Sequence, residues 1–182
     1  MNSLQNRKKF KLGLKKISLT PLKENEESSK PQQCVANMTT KIKDRKIYQI
    51  SSHLFMSGYE SATNLEMLKE KQINHIINLT AHKTQNMFEK SFTYSNYNIE
   101  DNSEFDLKNV LNDIIVDISK HVATGKKVLV HCKMGISRAP SIILAFMIRM
   151  QGKDYDNAYD ELSLINPKIS PNLGFLMLLK NI

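Results

Sequence analysis

His131-Cys132-Lys133-Met134-Gly135-Ile136-Ser137-Arg138 is the stretch that orders this 182-residue chain. Before it, Val128-Leu129-Val130 reads as a buried strand. After it, Pro140 stands where the first turn of a helix tolerates proline, because its missing N–H would be unpaired there anyway. Strand, glycine-bearing loop and helix start, in that order, make a turn whose backbone N–H groups converge on an anion. The helix dipole adds roughly half a positive charge at the same end. That field favours thiolate over thiol, so Cys132 is expected to be ionised and nucleophilic near neutral pH. Arg138 supplies a planar fork that binds two phosphate oxygens at once and follows them as phosphorus becomes five-coordinate. Read singly, each residue has a plainer role: a buried cysteine is usually a small hydrophobe, and an arginine at a helix start is usually solvated. Their joint order points to a phosphate cradle walled by Lys133, Met134, Gly135, Ile136 and Ser137. Ser137 either offers its hydroxyl to the loop or holds the loop's backbone. His131 is open between two roles, a core histidine satisfied by backbone and a group that positions or tunes the thiolate.

The segment resembles the His-Cys, five residues, Arg signature of the cysteine-dependent protein tyrosine phosphatases, and within them it is most similar to the small atypical dual-specificity phosphatases. The resemblance runs over residues 43–182. Ile50 to Gly58 is similar to the family's opening hairpin, Ile73 to Thr80 to its early central strand, and Pro171-Asn172-Leu173-Gly174-Phe175-Leu176 to its last-helix motif, with Asn172 in a supporting role. One position departs from the pattern. Many relatives carry Ser or Thr after the arginine, a hydroxyl that helps sulfur leave in the second chemical step, and here Ala139 stands there. Slow release of phosphate is the implied consequence.

A leaving alcohol or phenol oxygen needs a proton, so this chemistry calls for a carboxylic acid beside the loop. Glu100-Asp101-Asn102-Ser103-Glu104-Phe105-Asp106-Leu107 offers four carboxylates between a strand-like and a helical stretch. Alignment with the family pattern puts the acid at Asp101. The competing reading is that Asp101 and Ser103 only cap the next helix. Glu104 and Asp106 are expected on that helix's first turn, where the dipole favours acids.

The chain is 41% hydrophobic, enough for one core and hardly two. Its net charge of +8 is unevenly placed: residues 1–46 hold 12 Lys+Arg against 4 Asp+Glu, while residues 47–182 hold 14 of each. A body without excess charge argues against a specific nucleic-acid partner, since that affinity rests on clustered cations. The leader, 1–42, lacks an apolar period and is expected to be disordered. Its runs Arg7 to Leu14 and Lys15 to Leu19 set basic residues before spaced apolar ones, which resembles a kinase-docking peptide; a solvated basic tail, serving nuclear import or anionic lipid, is the plainer reading. No apolar run is long enough for a signal peptide or a membrane span. The two cysteines are Cys34 and Cys132. A catalytic thiolate must stay reduced, so a cytoplasmic location, with the nucleus as an extension of it, is expected. No His/Cys cluster has metal-ligand spacing, and neither metal nor other cofactor is expected.

Strand-like runs lie at about 47–50, 54–57, 75–79, 92–98 and 127–132. Between them, helical periods run over 64–72, over 107–122 to a stop at Gly125, over 142–150 to Gly152, over 154–165 behind Asp154, and over 172–179 behind Asn172. With the resemblance, this implies an α/β chain whose residues 43–182 form a single domain, a central, mostly parallel five-stranded sheet flanked by helices. The implied activity is hydrolysis of phosphotyrosine and phosphoserine or phosphothreonine in phosphorylated proteins through a cysteinyl-phosphate. Two alternatives stand beside it: a non-protein phosphate (phosphoinositide, phosphoglucan or RNA 5′-triphosphate) as substrate, and a low-turnover phosphoprotein-binding module.

Overall fold

The computed structural model describes residues 45–182; the leader with its docking-like runs, and Cys34, lie outside the described residues. The described strands are β1 (Ile47–Gln49), β2 (Leu54–Gly58), β3 (His75–Asn78), β4 (Thr93–Asn96) and β5 (Val128–Cys132). They form one sheet in the order β1-β2-β5-β3-β4. β1 and β2 pair antiparallel, and the other three pairings are parallel. The expected mostly parallel five-stranded sheet is therefore present.

β5 is the innermost strand and is buried at all five positions, as a parallel strand covered on both faces must be. Its side chains alternate between two cores. Val128, Val130 and Cys132 face the larger one, shared with α3 (Lys108–Ala123), α4 (Arg138–Gln151), α5 (Tyr155–Ile165) and α6 (Leu173–Leu179). Leu129 faces a smaller one with Phe55, Ile76 and Phe92, closed by α1 (Tyr59–Ala62) and α2 (Leu65–Glu70) through Ala62 and Leu68.

Local chemistry sets most helix ends. Asn64, Asp154 and Asn172 each accept a backbone N–H three residues on, from Met67, Asn157 and Phe175. Gly152 caps α4 in the left-handed region, and Gly125 follows α3 with φ +77°. The start of α3 differs from expectation. It begins at Lys108, with no acid in its first turn, so Glu104 and Asp106 precede the helix instead of sitting on it. Asp106 acts there as the local acceptor, taking the Lys108 N–H at 3.1 Å and Asn109 Nδ2 at 2.9 Å. α1 was not legible in the sequence, because four residues are too few to show a helical period.

α6 has seven residues, too few to be stable in isolation, and is held by tertiary packing. Phe175 and Leu179 are buried against α4, and Gly174 brings the helix onto the backbone of Ser103. A Cβ on Gly174 would overlap the Ser103 carbonyl. Among the described residues no helix is long and apolar enough to cross a membrane.

Two outcomes follow from this packing. Gly174→Ala is expected to push α6 from the 101–106 segment and to destabilise the domain by about 1–3 kcal/mol, read by urea unfolding; an unchanged midpoint would show that the approach is slack. His131 is 2% exposed, and burial lowers its pKa from 6.5 to about 4, against an opposing pull from the Cys132 backbone. Between those two values the unfolded chain binds a proton that the folded one refuses, so stability falls as pH drops from 6.5 toward 4. Unfolding at pH 7 and pH 5 should differ by about 2 kcal/mol more in the native chain than in His131→Gln.

Candidate active site

The loop from Lys133 to Ser137 leaves the C-terminal end of β5 and enters α4 at Arg138. Three of its carbonyls are fixed from outside. Tyr59 N–H binds the Lys133 carbonyl at 3.1 Å, Asn166 Nδ2 binds that of Gly135 at 3.3 Å, and Ser170 N–H binds that of Ile136 at 2.7 Å. Pinned carbonyls leave the amides for the concave side. The Gly135 N–H points at Cys132 Sγ, 3.2 Å away, and the amides of Met134, Ile136 and Ser137 meet no backbone carbonyl among the described residues. Gly135 has φ +71°, and a Cβ there would stand 2.8 Å from the Gly58 nitrogen. No other residue type lets the loop fold against the end of β2. Lys133 and Met134 are exposed at the rim, while Gly135, Ser137 and Arg138 are buried.

Cys132 is 1% exposed and is a free thiol at the floor of this turn. Arg138, 7% exposed, is the buried cation at the point where the loop enters α4. Its Nη1 donates to the Ile99 carbonyl at 3.3 Å, and its Nε stands 3.4 Å from Asp101 Oδ2, an ion pair without hydrogen-bond alignment. His131 adds no cation, since its lowered pKa keeps it neutral at physiological pH. Its Nδ1 has no hydrogen-bond partner among the described residues, and its ring lies 6.1 Å from that of Tyr59. The ring is buried as a core histidine is, but backbone does not satisfy its Nδ1.

Of the four carboxylates of the 100–107 segment, Asp101 is the one brought to the loop. Ser137 Oγ donates to its Oδ1 at 2.6 Å and Asn172 Nδ2 donates to the same oxygen at 3.1 Å. Glu100 points away to Lys83 and His82, which hold it below the usual carboxylate range, chiefly through the Lys83 hydrogen bond. Capping by Asp101 or Ser103 does not occur, because α3 starts farther on. Ser137 takes neither role foreseen for it. Its hydroxyl joins three segments, donating to Asp101 while accepting the Asn172 N–H at 3.2 Å. The Asn172 side chain both caps α6, accepting the Phe175 N–H, and donates to Asp101.

Sequence reasoning missed Tyr59, Asn166 and Ser170. Two of them act through backbone N–H groups, which carry no residue-type signal. Asn166, 2% exposed, was visible only as a residue before proline.

Comparison with known proteins agrees with this geometry. The model of the dual specificity phosphatase catalytic domain matches residues 54–182. Human protein phosphatase Slingshot homolog 2 is 36% identical over 128 residues, covering 70% of this chain and 9% of that protein. Mouse protein phosphatase Slingshot homolog 3 is 34% identical over 132 residues, covering 72% of this chain and 20% of that protein. The chain thus spans a small part of these curated relatives. Among solved structures, human tyrosine phosphatase-like serine/threonine/tyrosine-interacting protein superposes with a TM-score of 0.70 at 28% identity, covering 75% of this chain and 95% of that one. A loop with an amide on a buried cysteine and a buried arginine at its end, on a five-stranded, mostly parallel sheet, accords with these matches: the chain belongs to the dual specificity phosphatase catalytic-domain family.

Proposed function

We propose that this chain is a metal-independent protein phosphatase that removes phosphate from phosphotyrosine and from phosphoserine or phosphothreonine through a cysteinyl-phosphate. The observation that carries the reading is the loop pinned by its carbonyls, with an amide on Cys132 Sγ and with Arg138 and Asp101 at its edge. The Cys132 thiolate attacks phosphorus, the bond from phosphorus to the ester oxygen breaks, and Asp101 protonates that oxygen as it leaves. Arg138 and the loop amides hold the three remaining phosphoryl oxygens. Asp101, now a carboxylate, takes a proton from water as that water attacks phosphorus; the sulfur–phosphorus bond breaks and inorganic phosphate departs.

Asp101 stands among Ser137, Asn172 and Arg138, all donors, which suits the carboxylate that serves as base in the second step. A phosphorylated protein is the proposed substrate, in the reducing cytoplasm or nucleus, with a kinase docked on the basic leader as a further proposed partner.

Cys132→Ser is expected to abolish turnover of an aryl phosphate; undiminished turnover would sink the assignment. Asp101→Asn should cut kcat by about 10²–10⁴-fold on a serine phosphate and far less where the leaving group needs no proton. Equal losses on both would place the acid elsewhere. Because Ala139 offers departing sulfur no hydroxyl, rapid mixing with an aryl phosphate should give a burst followed by slower release, and Ala139→Ser should speed the slow phase. A burst with negligible steady release in both forms would favour the phosphoprotein-binding reading instead.

A further inference from the structure

At the opposite end of the sheet from the cysteine lies a second cluster of chemically active side chains. His75 opens β3 and is 2% exposed; Asp117 and His121 sit one turn apart on α3, with side chains 18% and 15% exposed. Residues four apart on a helix share one face, so Asp117 and His121 project together toward the sheet. One ring nitrogen of each histidine and one Asp117 oxygen all lie within 4.8 Å of one another. The sequence hides this set, because His75 is far from the other two in the chain.

We propose that His75, Asp117 and His121 bind one divalent transition-metal ion, zinc foremost, with water completing a four-coordinate site that clamps α3 to β3. His121 Nε2 and Asp117 Oδ1 are 3.3 Å apart, close to the separation of roughly 3.4 Å that donors about 2.1 Å from a shared tetrahedral ion adopt. Asp117 pairs with His121 and, among the described residues, with no lysine or arginine. Outer partners that orient ligands are present as well. Tyr97 Oη donates to Asp117 Oδ2 at 3.3 Å, and of the two His75 contacts, Nδ1 with Thr93 Oγ1 at 2.8 Å and Nε2 with Ser95 Oγ at 3.1 Å, the one on the nitrogen that does not ligate is such a partner. Lys126 and Lys120 are the cations that act on His121 from the same end of α3.

The two imidazoles stack at 3.7 Å with 27° between their planes, so their in-plane lone pairs run nearly side by side. Binding requires the His121 ring, the more exposed of the two, to turn until its nitrogen and that of His75 meet at the ion, and the His75 nitrogen that ligates gives up its hydroxyl. His75 pairs with Val128 across the sheet, four residues before Cys132, a separation of roughly 13 Å along the strand. The ion is therefore structural and takes no part in phosphoryl transfer.

The test uses the full chain carrying Cys34→Ser and Cys132→Ser, so that no thiol can capture metal, stripped with a chelator and titrated with zinc chloride. One equivalent should bind, raising Tm on the order of 10 °C at a hundredfold excess over Kd, and Co²⁺ should give the visible bands of a four-coordinate nitrogen and oxygen site. His121→Asn and Asp117→Asn, each added to that background, should weaken binding at least tenfold. No thermal shift with zinc, six-coordinate Co²⁺ bands in the parent, or equal affinity in both variants would overturn the site. The Co²⁺ spectrum of the parent decides the matter even if a variant fails to fold.

Discussion

A loop that offers several N–H groups to one anion must first dispose of its own carbonyls. Here three are taken by different neighbours: Lys133 by the start of α1, Gly135 by the Asn166 side chain after α5, and Ile136 by Ser170 before α6. Hydrogen bonds to buried carbonyls are worth about 1 kcal/mol each, but the orientation they impose matters more than their sum. With these carbonyls held outward, the Gly135 amide faces inward, onto Cys132 Sγ. Gly135 completes the constraint, since its positive φ and missing Cβ let the turn press on Ser57 and Gly58.

The same economy governs the carboxylate. Asp101 lies on an irregular segment with no ladder to fix it, and its position comes from Ser137, Asn172 and Arg138. Two of these belong to the N-terminal end of α4 and the third caps α6, so the acid is registered on the helices that carry and brace the loop. α6 in turn is placed by the burial of Phe175 and Leu179, each worth about 1.5–3 kcal/mol, and by the absence of a side chain at Gly174. Apolar packing thus sets the geometry of a polar site.

The charge at the site is economical too. In the proposed chemistry a buried, neutral His131 next to Cys132 would leave the stabilisation of an anion to Arg138, to the amides and to the N-terminal end of α4. Donors already fixed by the fold would cost that chemistry little reorganisation. At the far end of β3 the burial of His75 has the same effect on its imidazole, leaving it a neutral donor beside a carboxylate.

The legible parts of this chain were those in which one short segment both contains the cause and shows the effect. The alternating and all-apolar runs marked the five strands, Asn64, Asp154 and Asn172 marked helix starts, and the order of Cys132, Gly135 and Arg138 marked the phosphate turn. Asp101 was reachable through resemblance to a pattern, not through its own surroundings. What tertiary structure alone decided were the relations between distant segments. It set the backbone donors Tyr59 and Ser170 on the loop, turned the Ser137 hydroxyl toward Asp101 and Asn172, and moved the start of α3 past Glu104 and Asp106. It also gathered His75 with Asp117 and His121. Spacing along a chain encodes a helix face or a strand face, whereas a contact between segments depends on how the two cores pack, and no local pattern records that.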